Sequence, residues 1–486
     1  MLRNRSGPPR PARLIYAIKN AVDIINPLDA QETPIMQLLR CLTIAVTVGT
    51  SLAGSPRPHR PTPDLVFEFP DPNIDPFYQA PGNIASYSNG EVVRNRTVAT
   101  TLVGRAVESY QVFYRTTDAQ GDAIGTVATI FAPTNPSLPP KLFSYQAAED
   151  ALNLDCAPSW GWVNKSSALE YYYQSDAPVL AQWVLSQGYY FVSSDFEGPD
   201  AAWLVGLTEG RATLDGIRAT VNYLGLPVSQ SSIGLWGYSG GAHATAWAGS
   251  LAAVYAPELN IIGAAFGGTP TDLSLASTVL GGGVAALLSG AGLIGLANGL
   301  PDLNATLDTL LTPYGVEVVT KLRAPHMCVN ANLATFADVN FTQMFAENPW
   351  TNPAIAKIVA DESLLSNASS LPVPVPKFPR FQFHGTSDRT IPYTIEAQYV
   401  AQQCAAGADI RFLSLPDQDH GPAYLNSIPG AAQFILSAFA GTLGSVACGA
   451  NVTVPSIGSA EAVDLLGVNN NVLMGALLAA LTAGPA

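Results

Sequence analysis

The chain has 486 residues, of which 48% are hydrophobic and only 12% are charged. This length and composition provide material for a large apolar core and argue against long disordered regions. The balance of 37 acidic against 23 basic residues gives a formal net charge of −14. An acidic chain without a basic patch is a poor match for nucleic acid or for an anionic membrane surface, so we expect neither as a partner.

An apolar run near the start of the chain has the pattern of an export signal. Residues 36–40 form a short basic region, and the apolar run at 41–53 ends in small residues suited to cleavage. We interpret 36–53 as a secretory signal peptide and 1–35 as an upstream extension of the reading frame. A membrane anchor is the alternative, but the run of about 13 residues is shorter than the roughly 20 that a spanning helix needs.

Four cysteines follow the signal segment, an even number suited to two disulfides in an exported protein. Six N-x-S/T sequences also follow it, and together these features predict a secreted, extracellular glycoprotein. The candidate glycosylation sites are Asn95, Asn164, Asn304, Asn340, Asn367 and Asn451. We find no group of Cys, His or carboxylate residues with metal-ligand spacing, so we expect no metal and no other cofactor.

Strand and helix patterns alternate along most of the chain. Strands at 109–116 and 124–131 flank a polar turn and predict a hairpin. Further strands are predicted at 141–146, 189–194, 232–236, 261–266, 378–384 and 410–415, and helices at 177–187, 212–224, 393–406 and 431–440. An antiparallel start followed by strand–helix repeats predicts an α/β fold, with a mixed, mostly parallel sheet covered by helices on both faces.

The alternation stops between about 270 and 370, where no strand pattern occurs. The segment from Leu273 to Leu300 is apolar but contains seven glycines and lacks charged flanks. A buried or lipid-contacting cap is therefore a better interpretation than a transmembrane helix. We predict that 270–370 is inserted over the carboxyl-terminal edge of the sheet, where insertions commonly shape a substrate site.

The sequence Gly237-Tyr238-Ser239-Gly240-Gly241 lies between a short apolar strand and a helix of small residues. A strand-to-helix turn this tight requires small neighbours, and it lifts the serine Oγ clear of the sheet. The N–H groups that begin the helix point to the same place, where an oxyanion could bind. The motif predicts Ser239 as a catalytic nucleophile and Gly240 as an oxyanion donor, and a purely structural glycine-rich turn is the alternative.

A serine nucleophile needs a base and a carboxylate that orients the base, in the chain order serine, acid, histidine. Among the histidines, only His420 lies in a loop after a late strand, which makes it the predicted base. Asp388 follows the preceding strand and is the predicted orienting acid. Asp417 and Asp419 adjoin His420 in sequence and are expected to cap its loop. The second oxyanion donor is expected within 146–151.

Longer blocks of the sequence resemble the fungal secretory lipase family. The similar blocks lie between about residue 70 and residue 450, at 145–150, 154–159, 187–195, 237–245, 255–260 and 375–381. The resemblance implies an α/β-hydrolase fold over residues 64–450, with the insertion at 270–370 as a helical cap. It also implies the triad Ser239, Asp388 and His420, oxyanion donors at Asp150 and Gly240, and disulfides Cys156–Cys328 and Cys404–Cys448.

This resemblance implies a secreted triacylglycerol lipase that hydrolyses lipid esters through an acyl-enzyme, as a monomer that can work at a lipid–water interface. An acyltransferase or a peptidase would keep the same triad, and a non-catalytic binding protein on this fold should lack one of its members. The family ends in a flap, which we expect within 451–486. Residues 471–486 are more apolar than such a flap, so a GPI-anchor signal is the alternative.

Overall fold

The computed structural model describes residues 69–99, 108–163, 177–274, 286–336, 341–365, 373–457 and 459–466. Within these ranges nine strands form one sheet with the spatial order β1-β2-β3-β5-β4-β6-β7-β8-β9. The strands are β1 (Val92–Thr97), β2 (Glu108–Thr117), β3 (Ala123–Ala132), β4 (Lys141–Gln146), β5 (Tyr190–Ser194), β6 (Ser232–Tyr238), β7 (Ile261–Gly267), β8 (Arg380–Gly385) and β9 (Ile410–Leu415).

Strands β1, β2 and β3 pair antiparallel, and β3 is also antiparallel to β5. Strands β4 to β9 all run parallel to one another. The predicted mixed, mostly parallel sheet is thus confirmed. Because β4, β6, β8 and β9 run the same way, the loops that follow them emerge at one edge of the sheet.

Twelve α-helices lie in the described part of the chain. They are α1 (Pro158–Val163), α2 (Ala177–Ser186), α3 (Gly206–Tyr223), α4 (Gly240–Tyr255), α5 (Ala286–Gly299), α6 (Pro301–Leu310), α7 (Pro313–Leu322), α8 (Val329–Phe336), α9 (Pro353–Asp361), α10 (Tyr393–Ala405), α11 (His420–Ala440) and α12 (Ala460–Leu466). No helix of the described residues is long and apolar enough to cross a membrane.

Helices cover both faces of the sheet, and alternate strand residues supply the two cores. Phe143 and Trp236 pack into the core beneath α2 and α11. Their chain neighbours Leu142 and Leu235 pack into the core beneath α3 and α4. Both faces of these strands are therefore apolar, as expected for a parallel sheet with two layers of helix. Each fully buried side chain of this size contributes roughly 1.5–3 kcal/mol.

Five helices, α5 to α9, lie between β7 and β8 and share a separate apolar core that includes Leu296, Leu303 and Val318. We call α5–α9 the cap helices. Trp203, in the loop before α3, belongs to the same core, and Gly295 of α5 packs directly on it. The cap helices thus rest on a loop of the main domain through a close contact that only a glycine permits.

Two helices begin earlier than the sequence predicted. Helix α3 begins at Gly206 instead of residue 212, because Gly206 and Gly210 allow a close approach to α4. Helix α11 begins at His420 instead of residue 431 and contains Pro429 in its interior. Glycine and proline disfavour helix in local sequence terms, so tertiary packing decides both boundaries.

Helix α12 packs back on the main domain, since the Trp183 indole of α2 donates a hydrogen bond to the carbonyl oxygen of Leu465. Further predictions lie outside the described residues. These are the extension at 1–35, the signal peptide at 36–53, the apolar end at 471–486 and the sites Asn164, Asn340 and Asn367.

Candidate active site

Ser239 joins the end of β6 to the start of α4 in a strained backbone conformation. Its φ is 56° and its ψ is −123°, a combination that side-chain-bearing residues rarely adopt. The Ser239 N–H donates to the carbonyl oxygen of Gly267 on the neighbouring strand (3.0 Å), and the Ser239 carbonyl accepts from His243 (3.1 Å). The strained turn is therefore held from both sides by regular secondary structure.

The glycines around Ser239 are required by close backbone approaches. A Cβ at position 237 would overlap the carbonyl oxygen of Gly241, and a Cβ at position 241 would overlap the carbonyl oxygen of Gln146. Gln146 ends β4, the strand beside β6. The glycines thus allow the turn to press against the neighbouring strand, which explains the residue types on either side of Ser239.

Asp388 and His420 lie within hydrogen-bond distance of each other. The Nδ1 atom of His420 is 2.7 Å from Oδ2 of Asp388, and both side chains are buried. The N–H groups of Thr390 and Ile391 each donate to the other oxygen, Oδ1, at 2.8 Å. The loop after β8 therefore aims the carboxylate at the first residue of α11.

The charge of Asp388 determines the tautomer of His420. Burial raises the pKa of Asp388, but hydrogen bonds from His420 and His384 and electrostatic attraction to these rings outweigh burial and hold that pKa below its usual range. Asp388 is thus an anion that can only accept a hydrogen bond, so the His420 proton lies on Nδ1. The Nε2 atom of His420 keeps its lone pair and has no hydrogen-bond partner among the described residues.

Tyr238 connects the serine turn to His420. Its hydroxyl donates to the carbonyl oxygen of His420 at 2.6 Å, and the two rings lie 4.8 Å apart between centroids. Tyr238 is the residue immediately before Ser239 in the chain. The sheet edge thus brings the predicted nucleophile turn, base and acid together.

The loop after β4 brings Asp150 to the same place. Asp150 has a positive φ of 48°, and its Oδ1 atom lies directly over the Cα of Gly240. Gly240 begins α4, so its N–H has no partner within the helix. Burial raises the pKa of the Asp150 carboxyl to about 7, and positive charge on His420 partly opposes this.

Ser239, Gly240 and Asp150 line a partly enclosed cavity, whose empty space of about 520 Å³ includes its opening to solvent. Most of its other lining side chains are apolar and come from the cap helices and the loops beside them. They include Leu273, Leu288, Leu293, Leu296, Trp203 and Trp350. The cavity therefore offers an apolar binding surface next to the nucleophile turn.

His243 of α4 is directed away from the serine. Its Nδ1 atom is 2.7 Å from Oε2 of Glu209 on α3, and both side chains are completely buried. Asp419 accepts from the His420 N–H (2.9 Å) and from Arg389 Nε (2.7 Å). Asp419 thus begins α11 as its cap, while Asp417 occupies a positive-φ position in the turn before it.

Two disulfides join the pairs that the family resemblance implies. Cys156 bonds to Cys328 just before α8 of the cap helices, and Cys404 of α10 bonds to Cys448. Asp155 with Cys156 and Cys328 is the one His/Cys/Asp/Glu cluster of metal-ligand proximity among the described residues. Because its two sulfurs bond to each other, the cluster offers no thiolate ligands.

Three of the predicted glycosylation sites fall on described residues. Asn95 on β1 and Asn451 after α11 are exposed, and Asn304 on α6 is half-buried. The Oδ1 atom of Asn451 accepts a hydrogen bond from the Ser414 N–H at 2.9 Å. Carbohydrate attached to the amide nitrogen of Asn451 is compatible with that contact.

The residues that sequence reasoning missed are buried groups behind the site, above all Tyr238, His384 and Glu396. His384 contacts the oxygen of Asp388 that also faces His420. Tyr238 lies inside the serine motif, and His384 lies in β8, the strand that leads to Asp388. The positions of Tyr238 and His384 in the sequence therefore indicated that they lie near the site. The distant residues that they contact come together only in the folded chain.

Comparison with known proteins gives consistent matches in sequence. The model of a family described as secretory lipase matches residues 164–445. The chain is 41% identical over 433 residues to Lipase A of Moesziomyces aphidis, with 86% of this chain and 92% of that protein covered. It is 31% identical over 387 residues to a secreted triacylglycerol lipase of Malassezia furfur, with 77% and 78% covered.

Solved structures match as well. Candida antarctica lipase A in its closed state superposes with a TM-score of 0.79 at 40% identity, covering 84% of this chain and 95% of that chain. An esterase of Xanthomonas oryzae superposes with a TM-score of 0.55 at 15% identity, which supports the fold alone. With more than half of its length matched by the family model and a relative above 40% identity, this chain belongs to the secretory lipase family, on an α/β-hydrolase fold.

Proposed function

We propose that this chain is a triacylglycerol lipase that cleaves carboxylic esters with Ser239 as nucleophile, His420 as base and Asp388 as orienting acid. The observation that carries the proposal is the 2.7 Å contact between His420 Nδ1 and Asp388, which leaves Nε2 free at the sheet edge where Ser239 emerges. A base in that tautomer with an anion behind it is the arrangement that activates a serine nucleophile.

In the first half of the reaction, Ser239 Oγ attacks the ester carbonyl and its proton moves to His420 Nε2. The carbonyl oxygen becomes an anion, and the N–H groups of Gly240 and Asp150 are the proposed donors to it. Asp388 stabilises the imidazolium that forms. Collapse of the tetrahedral intermediate transfers the His420 proton to the leaving alcohol and leaves the acyl group on Ser239.

In the second half, a water molecule attacks the acyl carbonyl and gives one proton to His420 Nε2. The same two N–H groups bind the second oxyanion, and collapse returns the proton to Ser239 Oγ. The products are a free carboxylic acid and the regenerated triad. No other group is required to balance these steps.

The substrate class follows from the cavity beside Ser239. Its walls are mostly apolar, and each substrate methylene buried there contributes about 0.8 kcal/mol. A long acyl chain therefore gains more from this site than acetate does. Together with the family and with the triacylglycerol lipase of Malassezia furfur among its relatives, this favours lipid esters as substrates.

We further propose that the protein is secreted and extracellular, after removal of residues 36–53, and that it works as a glycosylated monomer at lipid–water interfaces. The apolar run at 41–53, the two disulfides and the exposed Asn95 and Asn451 support export. The whole proposed site is built from one chain. Amino-terminal sequencing of the exported protein should find a start near Gly54 or Ser55.

The decisive test is hydrolysis of p-nitrophenyl esters of increasing acyl length and of emulsified triolein by the purified protein. We expect turnover that rises with chain length, together with an adduct of a fluorophosphonate probe on Ser239 in intact-mass analysis. Ser239→Ala should abolish both. A folded protein that cleaves peptides but no esters, or transfers acyl groups with no net hydrolysis, would replace the lipase assignment with one of its catalytic alternatives.

A further inference from the structure

A second histidine contacts the carboxylate of the proposed triad from behind. His384, near the end of β8, is completely buried, and its Nε2 atom lies 3.2 Å from Asp388 Oδ2. The same Nε2 lies 2.9 Å from the carbonyl oxygen of Ile391. Both partners can only accept hydrogen bonds, so His384 Nε2 carries a proton.

The other side of the His384 ring faces a second buried carboxylate. Its Nδ1 atom lies 3.6 Å from Oε2 of Glu396 on α10. Glu396 is held by hydrogen bonds from the Thr269 N–H (3.1 Å) and from Gln382 Nε2 (3.2 Å). Glu396 is therefore fixed by the end of β7 and by β8 as well as by its own helix.

His384 thus lies between two carboxylates in a site closed to water. Burial lowers the pKa of His384, but its contact with Asp388 and the negative charges of Asp388 and Glu396 outweigh burial and raise it to about 10. At 3.6 Å Glu396 acts through its charge, because His384 Nδ1 has no hydrogen-bond partner among the described residues. Other titratable groups beside the two carboxylates are His420 beyond Asp388, Tyr393 at the edge of the His384 ring, and Arg380 and Tyr399 beside Glu396. Tyr238 and Asp150 lie beside His420. At neutral pH the ring is an imidazolium.

We propose that His384 is a positioning residue, which holds Asp388 in place as an anion and sets the pH range in which His420 acts as the base. Two imidazole rings share the Oδ2 atom of Asp388 at 2.7 and 3.2 Å. The positive charge on His384 offsets part of the negative charge that stabilises protonated His420. His384 therefore keeps His420 less basic than a simple Asp–His pair would be.

This inference rests on the proposed ester hydrolysis for its kinetic test, which is the pH dependence of kcat/KM. In His384→Gln a neutral amide replaces the cation, so protonated His420 is stabilised more strongly by Asp388. We expect the acidic limb of the profile to move to higher pH by about 0.5 units or more. His326→Gln is the matched control, because that exposed ring pairs with Asp155 and does not contact Asp388.

A role in packing alone would lower kcat or stability and leave the inflection where it is, so an unmoved inflection in folded His384→Gln overturns the proposal. His384→Asn is the second variant in case the first does not fold. Its smaller neutral amide also removes the cation beside Asp388, so the inflection should move in the same direction.

The charge of the ring can be measured without any enzyme activity. In ¹⁵N-histidine-labelled protein, the resonances that His384→Gln removes should show both ring nitrogens protonated and unchanged between about pH 6 and 8. A neutral His384 ring in that range overturns the inference even where ester hydrolysis is intact. Loss of the proposed ester hydrolysis with a charged ring would instead reject the function and leave the charge assignment standing.

Discussion

The Tyr238 hydroxyl donates a 2.6 Å hydrogen bond to the carbonyl oxygen of His420, so the residue before the proposed nucleophile is attached to the proposed base. The bond joins the end of β6 to the start of α11, two elements that are 182 residues apart in the chain. A direct contact between their own segments therefore helps to set the spacing between Ser239 and His420.

Tyr238→Phe tests that contact. Loss of the hydrogen bond should lower the free energy of unfolding by about 1 kcal/mol. It should also reduce kcat/KM about fivefold, because His420 is held less well. Tyr114→Phe is the matched control, since the buried Tyr114 hydroxyl donates to the carbonyl oxygen of Ala212 (2.7 Å) away from the site. Equal kinetic losses in the two variants would contradict the proposed link.

The strain at Ser239 predicts an order of stability. Glycine adopts φ 56° and ψ −123° without the penalty that alanine retains. Ser239→Gly should therefore be about 1 kcal/mol more stable to urea than Ser239→Ala, and both should be inactive. At Ser231, where φ is −82°, the order should reverse and the alanine variant should be the more stable. If the alanine variant were the more stable at both sites, Ser239 would carry no strain.

The cap helices are expected to set the preference for acyl length. Leu288 on α5 is half-buried and lines the cavity, whereas Leu300 is equally half-buried but does not line it. Leu288→Gln should reduce kcat/KM on oleate esters about tenfold and largely spare butyrate esters. Leu293→Glu should act in the same direction, at greater risk to folding because Leu293 is 1% exposed.

Leu300→Gln is the control for this experiment and should leave the ratio of oleate to butyrate hydrolysis unchanged. If Leu288→Gln lowers both activities equally, the cap helices have a structural role alone, and the acyl chain must bind elsewhere.

Buried acidic groups predict that stability falls as pH rises. Burial raises the pKa values of Asp195 and Glu362 to about 7. Burial together with neighbouring carboxylates raises those of Glu149 and Glu197 well above the usual range. Stability from such a group is fully present below its unfolded pKa, about 4, and is lost as pH rises through the folded value. The free energy of unfolding should therefore decrease between about pH 5 and 8.

Glu197→Gln replaces one of these groups with a neutral side chain of similar shape. The variant should be more stable than the wild type at about pH 8 and should show a flatter pH profile in urea unfolding. Glu317→Gln is the control, because the exposed Glu317 has a pKa lowered by Lys321 and is already charged throughout this range. An unaltered slope in Glu197→Gln would show that Glu197 is charged in the folded chain.

The parts of the site that could be predicted from sequence are those with a local cause. The serine turn can be recognised in the sequence because it requires Gly237 and Gly241 within two residues of Ser239. His420 and Asp388 follow from the order of strands, since each stands directly after a predicted strand of the parallel sheet.

The remaining parts depend on contacts between distant segments. His384 can act as a positioning residue because α10 brings Glu396 close to its ring. His243 pairs with Glu209 because α3 packs beside α4. The start of α11 could not be predicted because Pro429 and the nearby glycines disfavour helix in the local sequence. Packing on the sheet overrides that preference. Local patterns cannot supply partners that only the folded chain places side by side.

The Cys156–Cys328 bond makes much of the molecule a closed covalent ring, since the two cysteines are 172 residues apart and Ser239 lies between them. A single protease cut anywhere in that ring leaves one connected molecule. Protein nicked in a culture medium would therefore run as an intact chain on a non-reducing gel and separate into two pieces only with reductant. Quality control of such material by non-reducing electrophoresis alone would overlook the damage.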